Sequence, residues 1–70
     1  MSKEIRTFIV NGMSSGHCEH VIKESVGALN GVDNVTVNLE SKKVIVDYDN
    51  EKITRELIRE VIEDQGYEVV

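Results

Sequence analysis

In the first segment of the chain, residues 4–10, apolar residues occupy both sets of alternating positions, in a short run that is consistent with a strand. Residues 4–10 are rich in β-branched and aromatic side chains, and a polar turn signal follows them. This segment predicts the first strand. The sequence does not decide which face of this strand is buried, because both faces are apolar. One face carries Phe8 and Val10, and the other carries Ile5 and Ile9.

From Cys18 onward the apolar and small residues follow the spacing of a helix with one buried stripe, at positions 18, 21, 22, 25, 26 and 29. The sequence therefore predicts the first helix here. Ser14 or Ser15 is expected to cap its first turn by accepting a hydrogen bond from a free backbone amide. Asn30-Gly31 is expected to end the helix in the left-handed conformation.

Apolar and polar residues alternate in two short segments, 35–39 and 44–48, which are joined by a short polar link. This arrangement predicts a β-hairpin. A second helical pattern begins at Thr54 and stops at Gly66, and residues 67–70 are long enough for a short last strand.

The predicted order of elements is therefore β-α-β-β-α-β, which is typical of the ferredoxin-like α+β fold. Right-handed crossovers put both helices on one face of a four-stranded antiparallel sheet and leave the other face partly solvated. A chain of 70 residues buries enough surface for one core only, so we expect a single domain over residues 1–70.

The charge of the chain limits its partners. The formal net charge is −5 and the eight Lys and Arg residues are scattered, which argues against nucleic-acid binding and suits a basic partner surface. No apolar stretch approaches the roughly 20 residues that cross a bilayer, and the N-terminus resembles no signal peptide. We expect a cytoplasmic protein without membrane insertion.

Cys18 is the only cysteine of the sequence, so no internal disulfide is possible and a reducing compartment is favoured. It falls in the first turn of the predicted first helix, where free amides and the helix dipole lower the pKa of a thiol. The topology also brings the loop after the first strand close to Gly66-Tyr67. These features predict a thiolate suited to a soft metal. The alternative is a small buried hydrophobe on the helix stripe.

The loop Gly12-Met13-Ser14-Ser15-Gly16-His17-Cys18 resembles the Gly-Met-Ser-Cys-x-His-Cys loop of CopZ-type bacterial copper chaperones, in the heavy-metal-associated domain family. Residues 25–32, 37–40 and 62–67 are also similar to those chaperones, so the resemblance covers nearly the whole chain. It implies a Cu(I) carrier that passes the ion by ligand exchange to a copper-transporting P-type ATPase. An enzyme is not expected, because no second cysteine is present to resolve a disulfide.

The resemblance places the two metal-ligand positions of the family at Ser15 and Cys18. A serine hydroxyl is a hard donor that stays protonated at neutral pH, so Cys18 is expected to hold copper with a second donor recruited from elsewhere. That donor is a small thiol, a cysteine of the target, or the Cys18 of a second copy in a copper-bridged homodimer. The resemblance further implies that Met13 anchors the loop, that His17 tunes the thiolate and that Tyr67 covers the site.

Several alternatives stay open in the sequence. His17 and His20 are either metal ligands or solvated side chains, and Met13 is either a thioether ligand or part of the core. The serine at position 15 is compatible with natural divergence and with an engineered Cys-to-Ser change. Two other functions also fit, namely a non-transporting protein-interaction module and a detached metal-binding domain of a P-type ATPase.

Overall fold

The computed structural model describes residues 3–70 and contains a four-stranded antiparallel sheet with two helices on one face. The elements in chain order are β1 (Lys3–Asn11), α1 (Gly16–Gly27), β2 (Val32–Asn38), β3 (Lys43–Asp49), α2 (Arg55–Asp64) and β4 (Glu68–Val69). The predicted order of elements and the ferredoxin-like fold class are confirmed.

The strands lie in the order β2-β3-β1-β4, so β1 and β3 form the centre of the sheet. The Val10 amide donates to the Lys42 carbonyl at 2.8 Å, and Val10 also pairs with Val69 of β4. The loop after β1, the β2–β3 hairpin and the turn before β4 therefore meet at one end of the sheet, as the topology predicts.

The core fills the space between the sheet and the two helices. Its fully buried side chains come from β1, β3 and both helices: Val10, Ile22, Val26, Val44, Val46, Tyr48, Ile58 and Ile62. Phe8 packs against this cluster, whereas Ile5 is 67% exposed. The face of β1 that the sequence left open is thus decided by the helices, which cover the side carrying Phe8 and Val10.

Helix α2 has the ends that its sequence predicts. The Thr54 hydroxyl accepts a hydrogen bond from the Leu57 amide at 3.2 Å, which satisfies one free donor of the first turn. After the helix, Gly66 adopts a φ of +95°, a conformation that glycine reaches without strain. Within residues 3–70, neither this helix nor α1 is long and apolar enough to cross a membrane.

The end predicted for α1 was wrong. The helix stops at Gly27 and Ala28 caps it in a right-handed conformation, where the Ala28 amide donates to the Glu24 carbonyl at 3.1 Å. Gly31 does have a φ of +111°, but it lies in the turn that enters β2. A Cβ there would approach the Cβ of Lys52 to 2.8 Å, so the close passage of two loops requires this glycine.

Candidate metal centre

The loop between β1 and α1 begins with a sharp turn at Gly12, whose left-handed backbone conformation favours glycine. Gly12 has a φ of +100°, and a Cβ at this position would lie 3.5 Å from Cδ1 of Tyr67. The next residue, Met13, is only 8% exposed and belongs to the core cluster. The loop is therefore fixed at its start by a buried side chain and by the ring of Tyr67.

Cys18 lies in the first turn of α1 with its side chain half-buried. Its backbone amide donates to the Ser15 carbonyl at 3.1 Å, which closes the first turn of the helix. One side of the residue packs against the core, and the thiol accepts hydrogen bonds from the loop and from Tyr67. The residue thus has a packing contact and a polar environment together.

Ser15 occupies the N-cap position with extended backbone, but its side chain makes no capping hydrogen bond. Its hydroxyl instead donates to Cys18 Sγ at 3.8 Å. The predicted capping role of the Ser15 side chain was therefore wrong, because its hydroxyl points at the sulfur of Cys18 and accepts a hydrogen bond from none of the free amides. The two positions that the family resemblance singles out face each other across this contact.

The pKa of Cys18 is lowered from 9.0 to about 7. The main cause is the hydrogen bond that the Tyr67 hydroxyl donates to the thiolate, followed by a hydrogen bond from the backbone of Ser14. Partial burial opposes the shift, and the Ser15 hydroxyl and backbone add to it. The direction agrees with the sequence prediction, but the largest cause is the tyrosine.

The same contact raises the pKa of Tyr67, because ionisation would remove the donated proton and place two negative charges side by side. Tyr67 is therefore the hydrogen-bond donor of the pair. The structure places the ring of Tyr67 beside Gly12, at the start of the loop.

The two histidines lie on the exposed surface of α1. His20 Nε2 is 3.4 Å from Glu24 Oε1, one turn further along the helix, and His17 is exposed next to Cys18. Across the part of the chain that the structure describes, no group of three or more His, Cys, Asp and Glu residues is arranged to hold a metal ion. The thiol of Cys18 remains the soft donor of this loop.

One contributor to the site was missed by the sequence reasoning. The Asn11 side-chain amide donates to Glu68 Oε1 at 3.1 Å and joins β1 to β4 at the start of the loop. This bond holds the residues next to Gly12 and Tyr67 together. Because 57 positions separate its partners, only the strand register reveals it.

Comparisons with known proteins agree with this arrangement. The family model described as heavy-metal-associated domain matches residues 7–68. The chain is 43% identical over 70 residues, the full length of both, to the copper chaperone CopZ of Staphylococcus aureus.

Two solved structures are also similar to the chain. The solution structure of a putative copper-ion-binding protein from Bacillus anthracis is 46% identical with a TM-score of 0.94, covering 99% of this chain and 97% of that one. The N-terminal domain of a potential copper-translocating P-type ATPase from Bacillus subtilis, in its Cu(I)-loaded state, is 25% identical with a TM-score of 0.91, covering 96% and 84%.

Proposed function

Because the chain belongs to the heavy-metal-associated domain family, we propose that it is a Cu(I) chaperone that carries the ion on Cys18. The observation that carries this proposal is the contact of the Ser15 hydroxyl with Cys18 Sγ, at the two ligand positions of the family. The proposed role is binding and transfer, not catalysis. One such domain then spans residues 1–70.

The loop supplies one soft ligand for a metal ion. A thiolate is a soft ligand that suits Cu(I), whereas the hydroxyl of Ser15 is hard and keeps its proton at neutral pH. Metal–sulfur bonds to Zn²⁺ are about 2.3 Å long, so two sulfurs on opposite sides of one ion lie at most about 4.6 Å apart. The 3.8 Å between Ser15 Oγ and Cys18 Sγ is within that span, so the geometry would accept a second thiolate that the sequence does not supply.

The second donor therefore comes from another molecule in our proposal. A small thiol such as glutathione or a cysteine of the target would serve. The Cys18 of a second copy would also serve, in a copper-bridged homodimer that restores the pair of thiolates about a two-fold axis. Such a complex is weaker than one with two cysteines in the same loop, because assembling two molecules costs translational and rotational freedom.

Transfer of the ion depends on the part of the Cys18 side chain that remains exposed. An incoming thiolate of the acceptor binds Cu(I), the bond to Cys18 then breaks, and the ion keeps its oxidation state. We assign the acceptor to a copper-transporting P-type ATPase, which the similarity to the Cu(I)-loaded ATPase domain supports. The exposed carboxylates of Glu63, Asp64 and Glu68 flank the turn that carries Tyr67 and suit a basic surface on that acceptor. This exchange takes place in the cytoplasm.

A detached metal-binding domain of such an ATPase is the second candidate. The chain is 43% identical to the copper chaperone and 25% identical to the ATPase domain, and this difference favours the chaperone. A third candidate is an interaction module that docks on the ATPase without transporting copper.

A competitive Cu(I) titration tests the proposal. The protein and its Cys18→Ser variant are titrated anaerobically against a chromophoric Cu(I) chelator, and sedimentation records the molecular mass at each copper ratio. We expect the variant to lose competition with the chelator, and His20→Ala, which removes a side chain that pairs with Glu24, to keep it. Equal binding by Cys18→Ser would overturn the carrier role. Equal affinity for an isolated ATPase domain with and without copper would instead support the interaction module.

A further inference from the structure

The sheet face opposite the helices carries an apolar stripe that the described residues leave uncovered. Ile5 is 67% exposed, Ile9 38% and Val70 77%. They share this face because the neighbouring positions Val10 and Val69 point into the core. Single exposed apolar residues need no explanation, but Ile9 and Val70 are neighbours, since the Val70 amide donates to the Ile9 carbonyl at 2.8 Å. Ile5 lies further along the same face of β1, beyond Thr7.

The strand register gives this face a symmetric layout. Three cross-strand pairs of β1 and β3 lie on it in sequence: Ile5 with Asp47, Thr7 with Ile45, and Ile9 with Lys43. The central pair is therefore flanked at equal distances by an isoleucine on β1 and by charges of opposite sign on β3. The name "open face" is used below for these three pairs together with Val70.

We propose that the open face binds the same face of a second copy, about a two-fold axis that runs across the strands at the Thr7–Ile45 pair. This rotation reverses the strand direction. It therefore places Ile5 of one copy on Ile9 of the other, and Asp47 of one on Lys43 of the other. Each contact occurs twice, as an isologous interface requires. The two sheets would stack about 10 Å apart, the usual spacing of packed sheets.

The charges at the two ends of the face select this antiparallel arrangement. Asp33, Asp47 and Asp49 surround Lys3, and together they raise its pKa, chiefly through the ion pair with Asp33. This end therefore has an excess of negative charge. The other end of β3 carries the exposed Lys43. A parallel stacking would oppose like charges, whereas the antiparallel one opposes unlike charges.

Glu68 also lies at the positive end, but on the β4 side. Its carboxylate is hydrogen-bonded to Asn11, with all of β1 between it and β3. The proposed two-fold keeps each strand above its own image, so Glu68 lies away from the Asp47–Lys43 contacts.

The size of the face predicts a weak association. A seven-residue strand is about 23 Å long and four strands are about 19 Å wide, so one copy offers roughly 400 Å². Twice that area is below the 1,200 Å² or so that stable interfaces bury. We therefore expect a dimer that dissociates on dilution. It forms without copper and is independent of the chaperone role.

Sedimentation equilibrium from 10 μM to 1 mM tests the proposal, with a reductant and a Cu(I) chelator present to exclude links through Cys18. The unmodified protein should show an average mass that rises with concentration. Lys43→Glu and Asp47→Lys should each lower the association constant at least tenfold, because each opposes like charges at both contacts. An equimolar mixture of the two variants should regain association, since each contact then joins a glutamate or aspartate to a lysine.

The recovery in the mixture also shows that both variants are folded. The control Lys23→Glu changes the net charge as Lys43→Glu does, but on α1, and it should associate like the unmodified protein. Ile9→Lys should abolish association. The proposal would be overturned if the unmodified protein were a monomer at 1 mM, if the mixture of Lys43→Glu and Asp47→Lys failed to associate, or if Ile9→Lys associated as strongly as the unmodified protein. None of these results bears on copper binding by Cys18.

Discussion

The hydroxyl of Tyr67 donates a hydrogen bond to the thiolate of Cys18 and is the largest cause of its low pKa. The two residues are brought together by the sheet, because the turn before β4 meets the loop after β1. At this junction the ring of Tyr67 lies against Gly12, whose φ of +100° favours glycine. The reactivity of the thiol is thus built by tertiary contacts as well as by its helix position.

Removing this hydroxyl should raise the pKa of Cys18 towards its ordinary value. In the metal-free protein, the alkylation rate by iodoacetamide should rise with pH to a midpoint near 7, because only the thiolate reacts and its pKa is about 7. In Tyr67→Phe the midpoint should move to higher pH, and the rate at pH 7 should fall severalfold. The measurement is a pH series of alkylation rates followed by mass spectrometry.

The other tyrosine provides the control for this series. Tyr48→Phe also removes one hydroxyl, but that hydroxyl donates to Glu4 at the opposite end of β1. The pH dependence of alkylation in Tyr48→Phe should match that of the unmodified protein. If Tyr67→Phe also kept the midpoint near 7, the Ser14 and Ser15 contacts would have to account for the low pKa.

Ser15→Cys should convert the loop into a self-sufficient copper site. A second thiolate in the same loop has an effective concentration in the millimolar range, against about 10 μM for a thiolate on another molecule, so affinity should rise about 100-fold or more. The copper complex should then sediment as a monomer. Competition with a Cu(I) chelator measures the affinity.

Ser14→Cys is the matched control, because it adds the same group one position away. In the structure the Ser15 side chain contacts the sulfur, whereas Ser14 acts on it through its backbone. The gain from Ser14→Cys should be much smaller. Equal gains at the two positions would show that residue 15 is not the vacant ligand position.

Most of the fold could be predicted because the hydrophobic period changes clearly between its elements. The core face of β1 could not, since both of its faces are apolar and only the docked helices distinguish Val10 from Ile9. The open face of the sheet then explains the ambiguity, because Ile5 and Ile9 form a second apolar surface.

The candidate site shows the same limit at the level of single hydrogen bonds. The approach of Tyr67 to Cys18 follows from topology and was predictable. The hydrogen-bond partner of the Ser15 hydroxyl could not be predicted, because a backbone amide and the sulfur of Cys18 are both within reach of an N-cap side chain. The Asn11–Glu68 bond depends on the register of β4, which two residues of sequence do not specify.

The two N-cap residues should differ in their effect on stability. Thr54→Ala should lower the free energy of unfolding by about 1 kcal/mol, because it removes the acceptor for the Leu57 amide. Ser15→Ala should change it by less than about 0.5 kcal/mol, since the Ser15 side chain caps nothing. Urea denaturation under reducing conditions checks both values. A loss at Ser15 as large as that at Thr54 would contradict the observed hydrogen-bonding pattern.

Truncating a core side chain should remove a large part of the free energy of unfolding. Ile62 is fully buried where α2 meets the sheet, and Ile62→Ala should cost about 2–5 kcal/mol through lost burial and the cavity left behind. A domain of this size has little more stability than that, so partial unfolding at 25 °C is expected. Ile5→Ala, at a site 67% exposed, makes the same chemical change and should cost far less in dilute solution. Circular dichroism at 5 μM compares the two, and similar losses would mean that Ile5 also contributes to the monomer core.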